Sequence, residues 1–406
     1  MIDLSVNFAG IHLKNPLVVA SSDTVRDIRQ VKKAEEYGAS AVILKGMLPD
    51  NSNELNSILR VFVDEKGHTV YGTAGASRLS YTKGVELVRT AKKETRMKIG
   101  VCIPFLTFED RDVIADAARR AAKAGADFIE VNFKPPVATY RSIMEKIAED
   151  GADAEGQADK IGEHMRDVLA QISEGTRLMK QSVNIPVIAK LVPDGVDILP
   201  MALIAQKAGA DALDAIGSLS GAFKIDIHAD GRTRIPCAST GIFQLSGAMM
   251  KPYSQGAVAR ISKSLGIPVM GTGGLMTWTD VVEMIMFGAT TVSFCALLMM
   301  HGFEALRGIA EKLKEYMEQR GYHSIDDFRS AALKYIAPSM DACTAIPSIA
   351  KIDKEICNGC GRCLRVAHCL AVSLGDGKAS VNEAECLGCG TCFLLCPHQA
   401  VSMIEI

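Results

Sequence analysis

Eight short apolar runs, each followed by a longer amphipathic stretch, recur through the first 310 residues, and this alternation limits the fold more than any other feature of the chain. The runs cover residues 16–20, 41–44, 99–103, 128–131, 186–191, 212–216, 268–271 and 291–294. Strands without polar alternation are buried on both faces and need helices outside them. Stretches such as 28–37, 111–124 and 198–208 carry the helical spacing of apolar residues that supplies such helices. Four helical stretches end in Gly-Ala ahead of the next run, at Gly38, Gly125, Gly209 and Gly288, where glycine can take a left-handed helix cap. Eight βα units in roughly 300 residues are the count for a TIM (β/α)8 barrel. A doubly wound open sheet is the alternative for the same alternation. No G-x-G-x-x-G follows the first run, so a dinucleotide-binding domain is not supported.

The tail has a different character. Cys357, Cys360 and Cys363 stand in C-N-G-C-G-R-C, and Cys386, Cys389, Cys392 and Cys396 stand in C-L-G-C-G-T-C-F-L-L-C-P. The second run fits C-x2-C-x2-C-x3-C-P, in which three thiolates hold one [4Fe-4S] cluster and the fourth serves another. The runs start 29 residues apart, so the tail reads as an internal duplication. The first run departs from the pattern, because five residues separate Cys363 from Cys369 and no proline follows. The expected ligand sets are Cys357, Cys360, Cys363 and Cys396 for one cluster, and Cys386, Cys389, Cys392 and Cys369 for the other. Structural zinc also uses C-x2-C pairs, but not this rhythm closed by proline. Two neighbouring clusters form a path for single electrons.

At 406 residues the chain suits one large domain and a small one. The expected division is a barrel over 1–315, a helical linker over 316–349 and a ferredoxin-like domain over 350–406. A hydrophobic content of 48% with 23% charged residues describes a protein with a full core. The net charge of −2 gives no reason to expect a nucleic acid or an anionic membrane. No apolar run reaches the ~18 residues of a membrane helix. The opening Met-Ile-Asp-Leu has neither a basic nor an apolar leader region, so a cytoplasmic protein with reduced thiols is expected.

Barrel chemistry sits where strands end. Those ends carry Ser21, Lys45, Pro104, Asn132, Lys190, Ser218, Gly273-Gly274 and Ala296. Met270-Gly-Thr-Gly-Gly-Leu after the seventh run offers bare backbone N–H groups to a phosphate; a tight turn would use the same glycines. Lysines closing two strands inside a barrel mouth need an anion or acceptor. Two of them beside a phosphate loop suggest FMN, which also joins one-electron clusters to two-electron hydride chemistry.

With Val42-Ile-Leu-Lys45-Gly, Ile129-Glu-Val-Asn132-Phe, Ile188-Ala-Lys190-Leu-Val-Pro193, Leu245-Ser246-Gly247 and Gly271-Thr-Gly-Gly274 in place, the chain resembles the dihydroorotate and dihydropyrimidine dehydrogenase family over essentially its whole length. The resemblance implies that Ala20, Ser21, Lys45 and Lys190 meet the isoalloxazine and ribityl of FMN. Ser218 belongs with the same cofactor set, and Gly247, Gly273, Gly274, Cys295 and Ala296 surround the phosphate. Asn132 is implied to hydrogen-bond the substrate ring. The implied activity exchanges hydride between FMN and a C=C/CH–CH bond of a small, cyclic compound, with electrons passing through two [4Fe-4S] clusters.

The departures bear on the substrate. The family's fourth-strand motif continues Asn-Leu/Phe-Ser-Cys-Pro, whereas this chain reads Asn132-Phe-Lys-Pro-Pro. Gly217-Ser218 stands where pyrimidine enzymes read Asn-Thr, and Arg78-Leu-Ser80 occupies the neighbourhood of another substrate asparagine. Missing amide partners disfavour a pyrimidine, since unpaired buried polar groups cost ~1–3 kcal/mol each. Proton-donor candidates are Lys134 and Tyr140 after the fourth strand, and Cys237 and His228 in the 221–243 insertion, which is expected to form a lid. A separate NAD(P)H-oxidising flavoprotein subunit, or a ferredoxin, is the expected electron partner, and an oligomer is expected. Three rival readings remain, one of them a non-redox phosphate-binding barrel fused to a ferredoxin. A dihydroorotate dehydrogenase-type enzyme is weakened by the ferredoxin tail and the missing Ser-Cys-Pro, and an electron-transfer subunit would have no substrate of its own.

Overall fold

The computed structural model describes residues 2–52, 61–63, 70–72, 78–105, 108–133, 154–193, 196–222, 225–233, 242–337 and 346–406. Eight parallel strands close into a barrel: β1 (Leu17–Val19), β2 (Ala41–Leu44), β3 (Lys98–Phe105), β4 (Phe128–Phe133), β5 (Val187–Leu191), β6 (Ala212–Ala215), β7 (Val269–Thr272) and β8 (Thr291–Phe294). Each strand pairs with its sequence neighbours, and β8 returns to β1 with Phe294 opposite Val19. The strands are buried along nearly their whole length, as runs without alternation require. All eight apolar runs are strands, with small changes at their ends. Ala20 falls just beyond β1, yet its N–H still donates to the Phe294 carbonyl at 3.0 Å. β3 runs through Pro104 to Phe105.

Helices cover the outside: α1 (Ile28–Glu36), α2 (Tyr81–Glu94), α3 (Arg111–Lys123), α4 (Ala154–Ser182), α5 (Ile198–Lys207), α6 (Lys251–Ser264) and α7 (Trp278–Met286). α3 buries Ile114, Ala117, Ala118 and Ala121, a stripe of small residues at helical spacing that lets it lie close on the sheet. Asp27 caps α1 and Thr277 caps α7, each in a reciprocal capping box. At the other end of α1, Gly38 adopts φ +95°, and the Ala39 N–H reaches back to the Ala34 carbonyl at 2.9 Å. That closes a left-handed cap that a side chain would strain. Gly125, Gly209 and Gly288 repeat it at the corresponding helix ends. After β8 the chain forms a short helix, α8 (Ala296–His301), and then α9 (Glu304–Arg320).

Segments following β2 and β6 leave the barrel and pair with each other. Strands Leu219–Ala222, Ile242–Ser246, Val70–Gly72 and Val61–Val63 form one antiparallel sheet in that order.

The chain forms two compact units, Met1–Ile336 and Ala337–Ile406. The stretch 316–349, read from sequence as a helical linker, therefore divides between them. Its first part completes α9 and adds short 3-10 turns to the barrel unit, while Ser348 already begins a strand of the second unit. Among the described residues no helix is long and apolar enough to cross a membrane.

The second unit shows the duplication in its hydrogen bonds. β9 (Ser348–Ile352) pairs with β12 (Val401–Glu405), and β10 (Val372–Gly375) pairs with β11 (Lys378–Val381). The Ala350 N–H donates to the Cys386 sulfur at 3.4 Å, and the Ala379 N–H donates to the Cys357 sulfur at 3.5 Å. The Asp353 N–H meets the Ala400 carbonyl at 2.8 Å, and the Asn382 N–H meets the Ala371 carbonyl at 2.7 Å. Every one of these groups has its counterpart 29 residues away.

Candidate active site and cysteine loops

Lys190 lies at the C-terminal end of the barrel strands, level with Asn132 on β4. Its Nζ donates to Asp214 Oδ2 at 2.8 Å and stands 3.6 Å from Glu130 Oε2. The lysine side chain is 10% exposed, and both carboxylates are fully buried. The Thr272 hydroxyl donates to Asp214 Oδ1, and the Ser293 hydroxyl lies 2.6 Å from that of Thr272. Five strands thus converge on one polar cluster inside an apolar barrel. Burial opposes the charge on Lys190, but the carboxylates of Asp214 and Glu130 overcome it and hold its pKa above the ordinary lysine value. Glu130 has a different environment. Its carboxyl is pushed up to about 7, by burial first, with Lys190 pulling against that and Asp214 adding to it. Neither Glu130 oxygen has a well-formed hydrogen bond among the described residues, although the Asp214 carboxyl and the Cys102 thiol lie beside it. Burial likewise pushes the Cys102 thiol up to about 12.

Lys45 follows β2 and bonds Asp23 Oδ2 at 2.7 Å, so both strand-end lysines are held by an aspartate. The Ser21 hydroxyl donates to the Leu44 carbonyl at 3.1 Å, which ties the end of β1 to β2. The Asn132 side-chain oxygen is buried and has no partner among the described residues. Such an atom is costly unless something binds it, so a partner for it is to be expected there. Arg78 presses its guanidinium against Gly46, where a Cβ would meet Nη1 at 2.4 Å, and its buried Nε has no partner among the described residues.

The glycine loop after β7 is shaped as a cradle. Gly273 and Gly274 adopt φ +111° and +81°. A Cβ on Gly274 would stand 2.2 Å from the Lys251 backbone nitrogen at the start of α6. The Ser254 hydroxyl donates to the Gly273 carbonyl at 2.6 Å and pins the loop to that helix. Gly247, at φ +90°, leads into the short turn Ala248–Met250 just before α6. Bare backbone packed against the start of a 14-residue helix suits a phosphate group. Cys295 and Ala296 open α8, and Ser218 is half-buried just past β6. These placements fit the FMN expected from the motifs.

Lys134, Tyr140 and Cys237 lie outside the described residues. His228 is exposed, in the turn between Ile225–Asp226 and Arg232–Thr233, with its N–H on Asp226 at 2.9 Å. Glu130, Asp214, Thr272, Asp23 and Lys251 had no role in the sequence reading. A single acid within each of Phe-Ile-Glu-Val and Ala-Leu-Asp-Ala was the available signal, because an acid in a doubly buried strand must be paired.

In the second unit a pocket is lined by Cys357, Cys360, Cys363 and Cys396, together with Ile352, Gly359, Gly361, Ala379 and Val401. That is the four-cysteine set expected for one cluster. Hydrogen bonds from the Ala379 and Gly359 backbones lower the Cys357 pKa, while burial raises Cys363 and its counterpart Cys392. In the other loop, hydrogen bonds from Thr391 and then His368 bring Cys389 down to about 7. His368 Nε2 lies 3.3 Å from the Cys389 sulfur. Among the described residues no three metal-ligating side chains converge on a single ion. A cubane spreads its four irons over separate corners, so its thiolates stand apart.

Residues 3–317 match the family described as dihydroorotate dehydrogenase. The chain belongs to that family. Family membership makes the barrel a flavin-dependent oxidoreductase acting on CH–CH bonds. Residues 379–402, which hold Cys386, Cys389, Cys392 and Cys396, match the 4Fe-4S binding domain. The catalytic subunit of dihydroorotate dehydrogenase B (NAD(+)) from Pyrococcus abyssi is 31% identical over 82% of this chain and 99% of its own length. The NAD-dependent dihydropyrimidine dehydrogenase subunit PreA of Escherichia coli is 25% identical over 89% of this chain and 84% of its own length. The chloroplastic dihydropyrimidine dehydrogenase (NADP(+)) of Arabidopsis thaliana is 25% identical over 84% and 79%, respectively. The two substrate classes therefore stand level, although the sequence motifs alone had weighed against dihydroorotate.

Proposed function

We propose that this family member is an iron–sulfur flavoenzyme that interconverts C=C and CH–CH bonds in a small cyclic compound of the dihydropyrimidine type, with FMN in the barrel mouth and two [4Fe-4S] clusters in the tail. The observation that carries this is the pair of aspartate-held lysines, Lys45 and Lys190, at the same barrel end as a glycine cradle closed on α6. Bound FMN would supply hydride exchange with carbon. Lys45 and Lys190 would offer fixed positive charge to it, and Gly247, Gly273, Gly274, Cys295 and Ala296 would enclose its phosphate, with Ala20, Ser21 and Ser218 lining the rest. The unpartnered Asn132 oxygen would accept an N–H from the substrate ring. The accompanying proton is assigned to Lys134, Tyr140 or Cys237. Cys357, Cys360, Cys363 and Cys396 would hold one cluster, and Cys386, Cys389, Cys392 and Cys369 the other. The equivalent backbone-to-sulfur bonds on Cys357 and Cys386 support two binding loops.

The chain contains no G-x-G-x-x-G, and two relatives are named as subunits of NAD-dependent enzymes. An NAD(P)H-oxidising flavoprotein subunit or a ferredoxin is therefore proposed as electron partner, in a cytoplasmic oligomer. Dihydroorotate is a second reading with its own observation. The Arg78 guanidinium beside Gly46 would pair a substrate carboxylate. Replacing Arg78 with Ala separates the two readings. Loss of turnover with orotate but not with uracil or thymine supports the dihydroorotate reading; the same turnover of every substrate as wild type removes Arg78 from substrate recognition. Replacing Asn132 with Ala should raise KM for whichever ring is used, and an unchanged KM would refute its role.

A further inference from the structure

The acids behind Lys190 outnumber the available base. Asp214, Glu130 and Lys190 are buried together, and one ammonium cannot balance two carboxylates. An uncompensated charge in such a place is avoided by neutralising the group that is least well bound. Asp214 is the better bound, because Lys190 holds one of its oxygens and Thr272 the other. Glu130 stands 3.6 Å from the ammonium, too far for a hydrogen bond to it, and has no well-formed hydrogen bond among the described residues, with only the Asp214 carboxyl and the Cys102 thiol beside it.

We propose that Glu130 is a redox-linked proton site, which binds a proton when the barrel mouth gains negative charge and releases it when that charge leaves. This rests on the reading that a redox cofactor occupies the mouth. The groups facing Glu130 from neighbouring strands are the Cys102 thiol on β3, Lys190 on β5 and Asp214 on β6, so Lys190 is the only cation among these. An added electron near Lys190 competes with Glu130 for that cation and favours the protonated acid. The electron comes from the donor and the proton from solvent, and both leave again on oxidation. No bond to carbon is involved. The raised affinity of Glu130 for its proton, with burial as the first cause, is consistent with this poise.

Infrared spectroscopy on the full-length purified protein tests it in two arms. In the first, the carbonyl stretch of a protonated carboxylic acid is followed against pH without reduction. It should persist well above the usual carboxylate range and be absent from Glu130→Gln. A missing band, or an identical band in the variant, overturns the proposal. In the second arm, FMN content is measured, the protein is reduced, and reduced-minus-oxidised spectra are recorded. At a pH where Glu130 is ionised in the oxidised protein the band should grow in the wild type, and Glu130→Gln should take up fewer protons there, by at most about one per flavin. Flavin that reduces without any change in the band overturns the linkage. Protein that holds no flavin contradicts the functional reading, while the first arm still decides whether Glu130 holds a proton. Should Glu130→Gln fail to fold, Asp214→Asn serves instead. It leaves Glu130 as the counter-ion of Lys190, so the band should vanish at neutral pH, and its persistence overturns the proposal.

Discussion

Gly274→Ala is the substitution whose consequence follows most directly from the geometry. At φ +81° a side chain costs ~1–2 kcal/mol. The new methyl would also stand 2.2 Å from the Lys251 backbone nitrogen, a separation that must open by more than an ångström. The obstacle is backbone, so no rotamer change relieves it. The start of α6 cannot easily retreat, because Lys251 is bonded to Asp280 at 2.7 Å and to Glu283 at 3.0 Å. Overpacking of this kind costs ~1–3 kcal/mol, for a total of roughly 2–5 kcal/mol. The cheapest escape is for the glycine loop to swing outward and lose its cradle shape. Phosphate binding should then weaken by at least ~30-fold, since 1.4 kcal/mol corresponds to tenfold. The assay is fluorescence titration of flavin-depleted protein with FMN, with circular dichroism as the check on folding. Gly266→Ala is the control, because a Cβ there meets nothing within 4 Å. A Gly274→Ala protein that is folded and binds FMN as tightly as wild type would refute the cradle.

Three further outcomes follow from the same structure. Lys190→Ala leaves Asp214 and Glu130 buried without their cation and should cost ~3–5 kcal/mol in denaturant unfolding; a loss under 1 kcal/mol would mean that the cluster is not charged as described. Glu130 has its pKa raised from 4.5 to about 7, so its contribution to stability is fully present below the lower value and is lost as pH rises through the upper one. Unfolding followed across that window should show the loss in the wild type and a flatter profile in Glu130→Gln, with identical profiles counting against the assignment. Cys369→Ala should lower iron content from about eight per chain toward about four or leave a cluster short of one iron, read by iron analysis and electron paramagnetic resonance. A full complement of intact clusters would show that Cys369 is not a ligand.

The barrel was legible because parallel strands buried on both faces must be written as unbroken apolar runs, and because helix ends such as Tyr37-Gly38-Ala39 carry the glycine their caps require. Lys45 and Lys190 were equally legible as cations closing strands. What holds them was not. Asp23 lies in the loop after β1, and Asp214 sits on a strand that reads as plain core; only the closed barrel brings them to the lysines. Glu130 was quoted within a motif and given no role, since one acid in a strand says nothing of the charges facing it from other strands. Pairing between Leu219–Ala222 and Ile242–Ser246, and on to Val70–Gly72, joins segments far apart in sequence that carry no common pattern. The cysteine spacing revealed the duplicated loops, but not that Ala350 and Ala379 reach across to the first sulfur of the opposite loop.

The most direct test of an iron–sulfur flavoenzyme is an anaerobic one. The purified protein is assayed for FMN, iron and sulfide, reduced with dithionite, and then offered uracil, thymine, orotate and other cyclic enones while the flavin absorbance is followed. Bound FMN, about eight irons per chain and reoxidation by one of these rings is the predicted result. Protein without FMN, or reduced flavin that none of these compounds reoxidises, would contradict it.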